Sequence, residues 1–555
     1  MTTASGARIG ARILVDNLIA LGADTGFCVP GESYLQVLDA LHDEGGRFRL
    51  VTCRQEGGAA FMAEAYGKLT ARPGICFVTR GPGATNASIG VHTARQDSTP
   101  MILFIGQVGR PELGREAFQE VDYRQMFGPL AKWVTQIESA ARIPEILAYA
   151  WHVATSGRPG PVVIALPEDM LSEVATVSDA TRLATAQAYP DPAALTTLGE
   201  LLASAHRPLL VVGGSGWSDA ARTQLTEFAT RWQLPVAAAF RRQDVFDNAH
   251  PCYVGELGTS VNPALAARVR EADVLISLGA RLDEMTTNGY TLVESPHPRQ
   301  RLIHIYPEVE ELQHVFRPVL AIAATVNAFA STLTDLTPGA PVAWEGWTAS
   351  ARADYVANLT PGPCAGALDM GEVMRVLAAQ LPEDVIVCNG AGNYTGWPQR
   401  FHCFRGYPSQ LAPTSGAMGY GVPAAIAASI LNPGRAVLAF SGDGDFLMNG
   451  QELATARQHG ARPLILVVNN GMYGTIRMHQ ERTYPGRVIA TPLCNPDFAA
   501  FARAFGAHGE IVERTAEFAP ALERALASGT AAVLELRIDP EQISTRGTLS
   551  ALRND

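Results

Sequence analysis

The sequence predicts an α/β protein of three doubly wound domains with parallel sheets. Short apolar runs alternate with segments of helical periodicity along the whole chain, the pattern of strand–helix–strand units. Several of these runs end in glycine-rich turns, as at Gly81-Pro82-Gly83 and Gly442-Asp443-Gly444. A chain of 555 residues is also too long for one core.

Composition narrows the function. Hydrophobic residues make up 47% and charged residues 17%, as in a compact globular protein. A net charge of −11 argues against nucleic acid or an anionic membrane as a main partner. No apolar run approaches the roughly 18–20 residues that span a bilayer. Arg8 and Arg12 sit in a helical pattern with no signal-peptide core behind it. The eight cysteines form no CxxC pair and read as free or buried thiols of a cytoplasmic protein. Asn86-Ala87-Ser88 matches a glycosylation acceptor but is discounted without a secretory signal.

The blocks fall in order along the chain. The first covers 1–185 and closes with the strand-like run 160–167. A polar stretch from Asp179 to Pro192 follows. The second covers 195–336 and opens with the run Pro208 to Val212. The Pro-, Gly- and Ala-rich segment Thr337 to Cys364 reads as a linker. The third covers 365–555.

The strongest chemical signal lies in the third block. Asp443 and Asn470 are 27 positions apart, each just past a strand-like run. Parallel strands joined by a crossover helix place both side chains at one carboxyl edge. A carboxylate, a carboxamide oxygen and a nearby carbonyl are hard ligands suited to Mg²⁺, which completes its octahedron with phosphate and water. Gly442 and Gly444 let backbone N–H groups approach those phosphates at a helix N-terminus. In the first block, Thr52-Cys53-Arg54-Gln55-Glu56 leads from a strand into a helix, and Phe77 to Asn86 runs strand, glycine turn, helix.

The segment from Gly442 to Asn470 resembles the diphosphate-binding motif of thiamine diphosphate enzymes. The run Arg80 to Asn86, with Ala117-Phe118-Gln119-Glu120, resembles the acetohydroxyacid (acetolactate) synthases of that family. The resemblance covers nearly the whole chain. It implies a pyrimidine-binding domain, a middle domain and a diphosphate-binding domain. It makes Glu56 the carboxyl group that stabilises the coenzyme's reactive tautomer through N1′, although the family's frequent His is Gln55 here. Desolvation is expected to raise the pKa of such a carboxyl. Gly31, in the place of a Pro-Gly-Gly turn, and Phe118 and Gln119 would line the reaction cavity. Pro82 and Asn86 would help to hold the cofactor.

In the third block the resemblance gives the Gly416 carbonyl to the 4′-amino group. It makes Met418 the wedge that bends the coenzyme, a task that suits a long, adaptable side chain. Ala391, Gly392, Asn393 and Tyr394 would reach the diphosphate, although relatives often carry Gln-His where this chain has Asn393-Tyr394. Asp443, Asn470 and the Met472 carbonyl would hold Mg²⁺. Gly442, Gly444, Asp445, Tyr473, Gly474 and Thr475 would flank the phosphates. The middle domain of acetohydroxyacid synthases holds FAD, and Gly213-Gly214-Ser215-Gly216 is a weak dinucleotide signal. The match to their Arg-Phe-Asp-Asp-Arg run is partial, so FAD stays open against a vestigial nucleotide fold.

The implied activity is decarboxylation of a pyruvate-like 2-oxo acid and ligation of the acyl unit to a carbonyl acceptor. A non-ligating decarboxylase acting on a 2-oxo acid or acyl-CoA, and a flavin-dependent oxidase, are the alternatives. The resemblance implies a homodimer or homotetramer with shared active sites. In those synthases the second Arg of the Arg-Phe-Asp-Asp-Arg run pairs with the acceptor's carboxylate. Met285 stands there, and His479 stands where they use a Trp. An uncharged Met cannot make that contact. The expectation is a different acceptor, such as an aldehyde, unless Arg477 or Lys132 supplies the charge.

Overall fold

The structure, a computed structural model, describes residues 6–554. Each of the three blocks contributes one six-stranded sheet, and every pairing within these sheets is parallel. The first sheet runs Arg49–Thr52, Thr25–Cys28, Gly74–Val78, Met101–Gln107, Pro161–Pro167, Trp133–Gln136. The third runs Gln410–Leu411, Ile386–Asn389, Val437–Gly442, Leu464–Asn469, Ala532–Arg537, His508–Val512. Numbered along the chain, both have the order 2-1-3-4-6-5. The middle sheet instead has the order 3-2-1-4-5-6, that of dinucleotide-binding sheets. Central strands such as Met101–Gln107 and Pro161–Pro167 are buried throughout. Helices cover both faces of such sheets, so their strands read as continuous apolar runs.

Each sheet has a point where the chain turns from building one way to building the other. Ligands of open parallel sheets bind there, beyond the carboxyl ends of the strands. In the first sheet this crevice lies between Thr25–Cys28 and Gly74–Val78, and in the third between Ile386–Asn389 and Val437–Gly442. In the middle sheet it lies between Pro208–Val212 and Val274–Leu278.

The first and third domains share one apolar core. The helix Glu56–Thr70 is buried from Gly57 to Lys68 and packs on Gly81–Asp97 and Gly421–Leu431. Small residues allow this close approach: a Cβ on Gly90 would lie 2.3 Å from that of Ala60. A buried polar network fastens the seam. Lys68 pairs with Asp97 and donates to the Ala412 carbonyl (2.9 Å), while the Tyr420 hydroxyl donates to Glu64 (2.6 Å). Burial disfavours charge on Asp97, but Lys68 and Arg242 hold its carboxyl below the usual range. The loop 412–420 is thereby fixed from the first domain.

One expectation is corrected. Half of the segment read as a linker is the helix Glu345–Asn358. It buries Thr348, Ala351 and Tyr355 against the middle domain, and the Trp344 ring stacks on Trp232 at 6.2 Å. Packing of this stripe outweighs the loop-like composition.

Candidate active site

All the third-block candidates gather at the carboxyl edge of their sheet. Ala391 to Tyr394, Gly416, Met418, Gly442 to Asp445, Asn470 and Met472 to Thr475 line one cavity of about 250 Å³. Asp443 opens the helix Asp443–Asn449 and is 3% exposed. Its Oδ2 accepts from Asn495 Nδ2 at 2.7 Å. Burial pushes the Asp443 carboxyl up from the ordinary Asp value. Asn470 Oδ1 accepts from the Met472 N–H at 3.2 Å, which turns the chain sharply beside the cavity.

This donor set fits a metal diphosphate. One carboxylate, one carboxamide oxygen and one main-chain carbonyl leave coordination positions for phosphate oxygens and water. Among the described residues no group of three or more His, Cys, Asp or Glu could hold a metal alone. A cation here depends on its ligand's oxygens. The glycines fit as well: a Cβ on Gly442 would lie 2.9 Å from the Tyr394 ring, and one on Gly444 2.5 Å from that of Tyr473. Both rings can therefore wall the cavity.

Asp445 has a different place from its neighbours. Its Oδ1 accepts from the N–H groups of Gly419 (2.8 Å) and Ala391 (3.3 Å), pegging together two loops that frame the cavity. Burial pushes this carboxyl up too. A Cβ on Gly390 would lie 2.1 Å from that oxygen. Gly390→Ala is therefore expected to cost about 1–3 kcal/mol by overpacking. A denaturant midpoint unchanged from the parent protein would contradict this.

The first-block candidates form a second cluster. Glu56 begins its helix, where Gln55 caps Gly58 N–H at 3.0 Å. Asn86 Nδ2 donates to Glu56 Oε2 at 2.9 Å. Pro82 lies in the first turn of Gly81–Asp97, and the Gly81 N–H donates to the Gln119 carbonyl at 3.0 Å. Gln119 has φ +65°, a left-handed conformation, and Phe118 beside it is 70% exposed. A Cβ on Gly31 would lie 2.5 Å from that of Thr79, so this turn needs glycine. None of these residues lines the cavity at Asp443. Sequence reasoning missed Glu452, whose buried Oε1 accepts from the N–H groups of Arg54 and Gln55, both at 3.0 Å. It also missed Asn495, since no local motif announces either residue.

A larger cavity, of about 820 Å³, shares Ala391 to Asn393, Gly416 and Thr475 with the first and extends to the middle domain. Met285 and His479 both line it, as do Asp283 and Glu284. The two basic residues expected to replace the missing Arg do not. Arg477 is paired with Glu481 at 2.8 Å. Lys132 donates to the carbonyls of Val153 (2.6 Å) and Ser156 (2.9 Å), and burial pushes it down to about 8. Arg241, which follows the strand Val236–Ala238, lines the cavity, as do the exposed Arg482 and Arg546. The adjacent pair Arg241-Arg242 after an apolar run was the available signal.

Comparison with known proteins agrees with this layout. Residues 8–126 match the N-terminal TPP binding domain of thiamine pyrophosphate enzymes, 195–333 their central domain and 390–536 their C-terminal TPP binding domain. The acetolactate synthase large subunit of Parasynechococcus marenigrum (strain WH8102) is 33% identical, covering 95% of this chain and 87% of its own. The acetolactate synthase isozyme 2 large subunit of Escherichia coli (strain K12) is 32% identical over 96% and 95%, respectively. The three domain matches follow one another in the order of the three sheets, and the chain belongs to the thiamine pyrophosphate enzyme family, with acetolactate synthase large subunits among its relatives.

Proposed function

We propose that this protein is a thiamine diphosphate-dependent carboligase. It releases CO₂ from a pyruvate-like 2-oxo acid and joins the remaining acyl carbon to the carbonyl carbon of an acceptor, whose oxygen takes up a proton. The observation that carries this reading is the single cavity around buried Asp443, framed by the loops that Asp445 holds together. The acetolactate synthase relatives favour ligation over simple decarboxylation or oxidation. When bound, the cofactor supplies an acidic carbon and an electron sink.

The chain's own groups do the rest. Asp443, Asn470 and the Met472 carbonyl hold Mg²⁺, and Gly442 and Gly444 admit the diphosphate. Met418, which lines the same cavity, would pack against the bound ring system. Glu56 keeps a proton in place for the pyrimidine nitrogen, and Asn86 orients its carboxylate. In one chain, Glu56 lies in the first-domain cluster and Asp443 in the third-domain cavity. A second copy would join one chain's Glu56 to the other's Asp443, so the working unit is a homodimer or a homotetramer built from such dimers. Exposed Ile89, Phe118, Leu447 and Met448 are apolar surface for such contacts.

FAD belongs in the middle domain. The crevice at its switch point, about 230 Å³, is lined by Gly214, Ser215, Gly216 and Gly279 of the middle domain and by first-domain residues such as Ser98 and Pro159. Flavin absorbance of the purified protein tests this. For the reaction, the purified protein is expected to convert pyruvate, with thiamine diphosphate and Mg²⁺, into a ligated hydroxy-oxo acid. Free acetaldehyde as the sole product would overturn ligation. The cytoplasm is the expected location. Among the described residues no helix is long and apolar enough to cross a membrane.

A further inference from the structure

Four loops of the first domain meet at Arg80. It follows the strand Gly74–Val78, and its side chain is 9% exposed. One Nη pairs at 2.5 Å with Glu168, the residue after Pro161–Pro167. The other donates to the Phe118 carbonyl at 3.4 Å and lies 3.9 Å from Glu32. Glu32 follows the strand Thr25–Cys28, and Phe118 lies in the loop after Met101–Gln107. These four strands are consecutive neighbours in the sheet, so one guanidinium spans its carboxyl edge.

The Phe118 loop needs such a hold. No residue from Pro111 to Glu120 is buried, so core packing does not fix it. Glu116 (φ +55°) and Gln119 (φ +65°) both take the left-handed conformation, which is costly for a residue with a Cβ. Polar contacts hold the loop instead. The Glu120 carboxylate accepts from the N–H groups of Gly114 (2.6 Å) and Ala117 (3.0 Å), which closes the loop on itself. The Gly81 N–H, on the Gln119 carbonyl, and Arg80, on that of Phe118, tie its tip to the sheet edge. A buried ion pair seldom stabilises more than apolar side chains of like size. What a guanidinium adds is a planar fork whose donors reach several acceptors at fixed angles.

We propose that Arg80 is a positioning residue for the reaction, setting Phe118 and Gln119 over the cofactor held by the partner chain. This rests on the carboligase and shared-site readings above. Two measurements on the full-length protein with thiamine diphosphate and Mg²⁺ test it. The first, amide hydrogen exchange read by mass spectrometry, needs no turnover. In Arg80→Met, residues 111–120 should lose protection while 54–60, around Glu56, keep theirs. The second sets pyruvate turnover against exchange at the cofactor's reactive carbon. Turnover should fall by about 10- to 100-fold, the effect of misplacing groups by about 1 Å. Exchange at that carbon uses Glu56 and neither Phe118 nor Gln119, so it should keep the parent rate. Arg80→Lys, a point charge without the fork, should fall between, and it decides alone if Arg80→Met does not fold. In a protein already carrying Phe118→Ala and Gln119→Ala, Arg80→Met should cost little more. The proposal fails if the loop keeps its protection, or if it loosens while turnover stays at the parent's. It fails too if exchange at the cofactor's carbon slows along with turnover, which would make Arg80 a prop of the whole domain. Pyruvate consumption that depends on Arg80 but yields only acetaldehyde would support the positioning role and overturn the carboligase reading.

Discussion

Glu56→Gln is expected to lower turnover by about 10²- to 10⁴-fold, the usual contribution of a positioned acid–base group. The amide has nearly the shape of the carboxylate, so packing changes little. Asn86 Nδ2 can still donate to its oxygen, as it does to Glu56 Oε2 at 2.9 Å. What is lost is a group able to hold and share a proton with the pyrimidine nitrogen. Affinity for the cofactor should therefore survive while ionisation of its reactive carbon slows. Hydrogen–deuterium exchange at that carbon, followed by quenched NMR, separates the two. Exchange at the parent rate would remove Glu56 from its role and return it to an ordinary first-turn carboxylate favoured by the helix dipole.

Much of this site could be read in the sequence because it is locally encoded. Asp443 and Asn470 belong to one strand–helix–strand unit, and right-handed crossover alone brings them to the same edge. Glu56 and Asn86 likewise each follow a strand and a turn. The residues that escaped depend on contacts between distant segments. Arg241 takes its place from the Pro413 carbonyl, 172 positions away, to which its guanidinium donates. Asn495 reaches Asp443 across 52 positions, and Glu452 reaches the Glu56 loop across nearly 400. The strand order is also long-range. Similar block size and pattern hinted that the first and third domains are alike, but only the sheets reveal the shared order 2-1-3-4-6-5. The helix Glu345–Asn358 was hidden by composition, because its stripe is apolar only relative to the middle domain it covers.

Asp443→Ala is expected to abolish metal-dependent cofactor binding. Removing the carboxylate leaves a doubly charged ion and a diphosphate without their one anionic protein ligand at a buried position. The cost of breaking such a buried pair, about 3–5 kcal/mol, corresponds to about 10²- to 4 × 10³-fold in affinity. Calorimetry with thiamine diphosphate and Mg²⁺ reads this directly, and unchanged affinity would dismiss the metal assignment. The variant also tests whether two chains build each site. Asp443→Ala chains retain Glu56, and Glu56→Gln chains retain Asp443. Each should be nearly inactive alone. If sites are shared, refolding the two in equal amounts makes half of all dimers mixed, and each mixed dimer holds one intact site. About a quarter of the parent's activity should return. If each chain completes its own site, every site in the mixture carries one lesion and no activity returns. Recovery therefore depends on Glu56 of one chain meeting Asp443 of another, which neither variant can report alone.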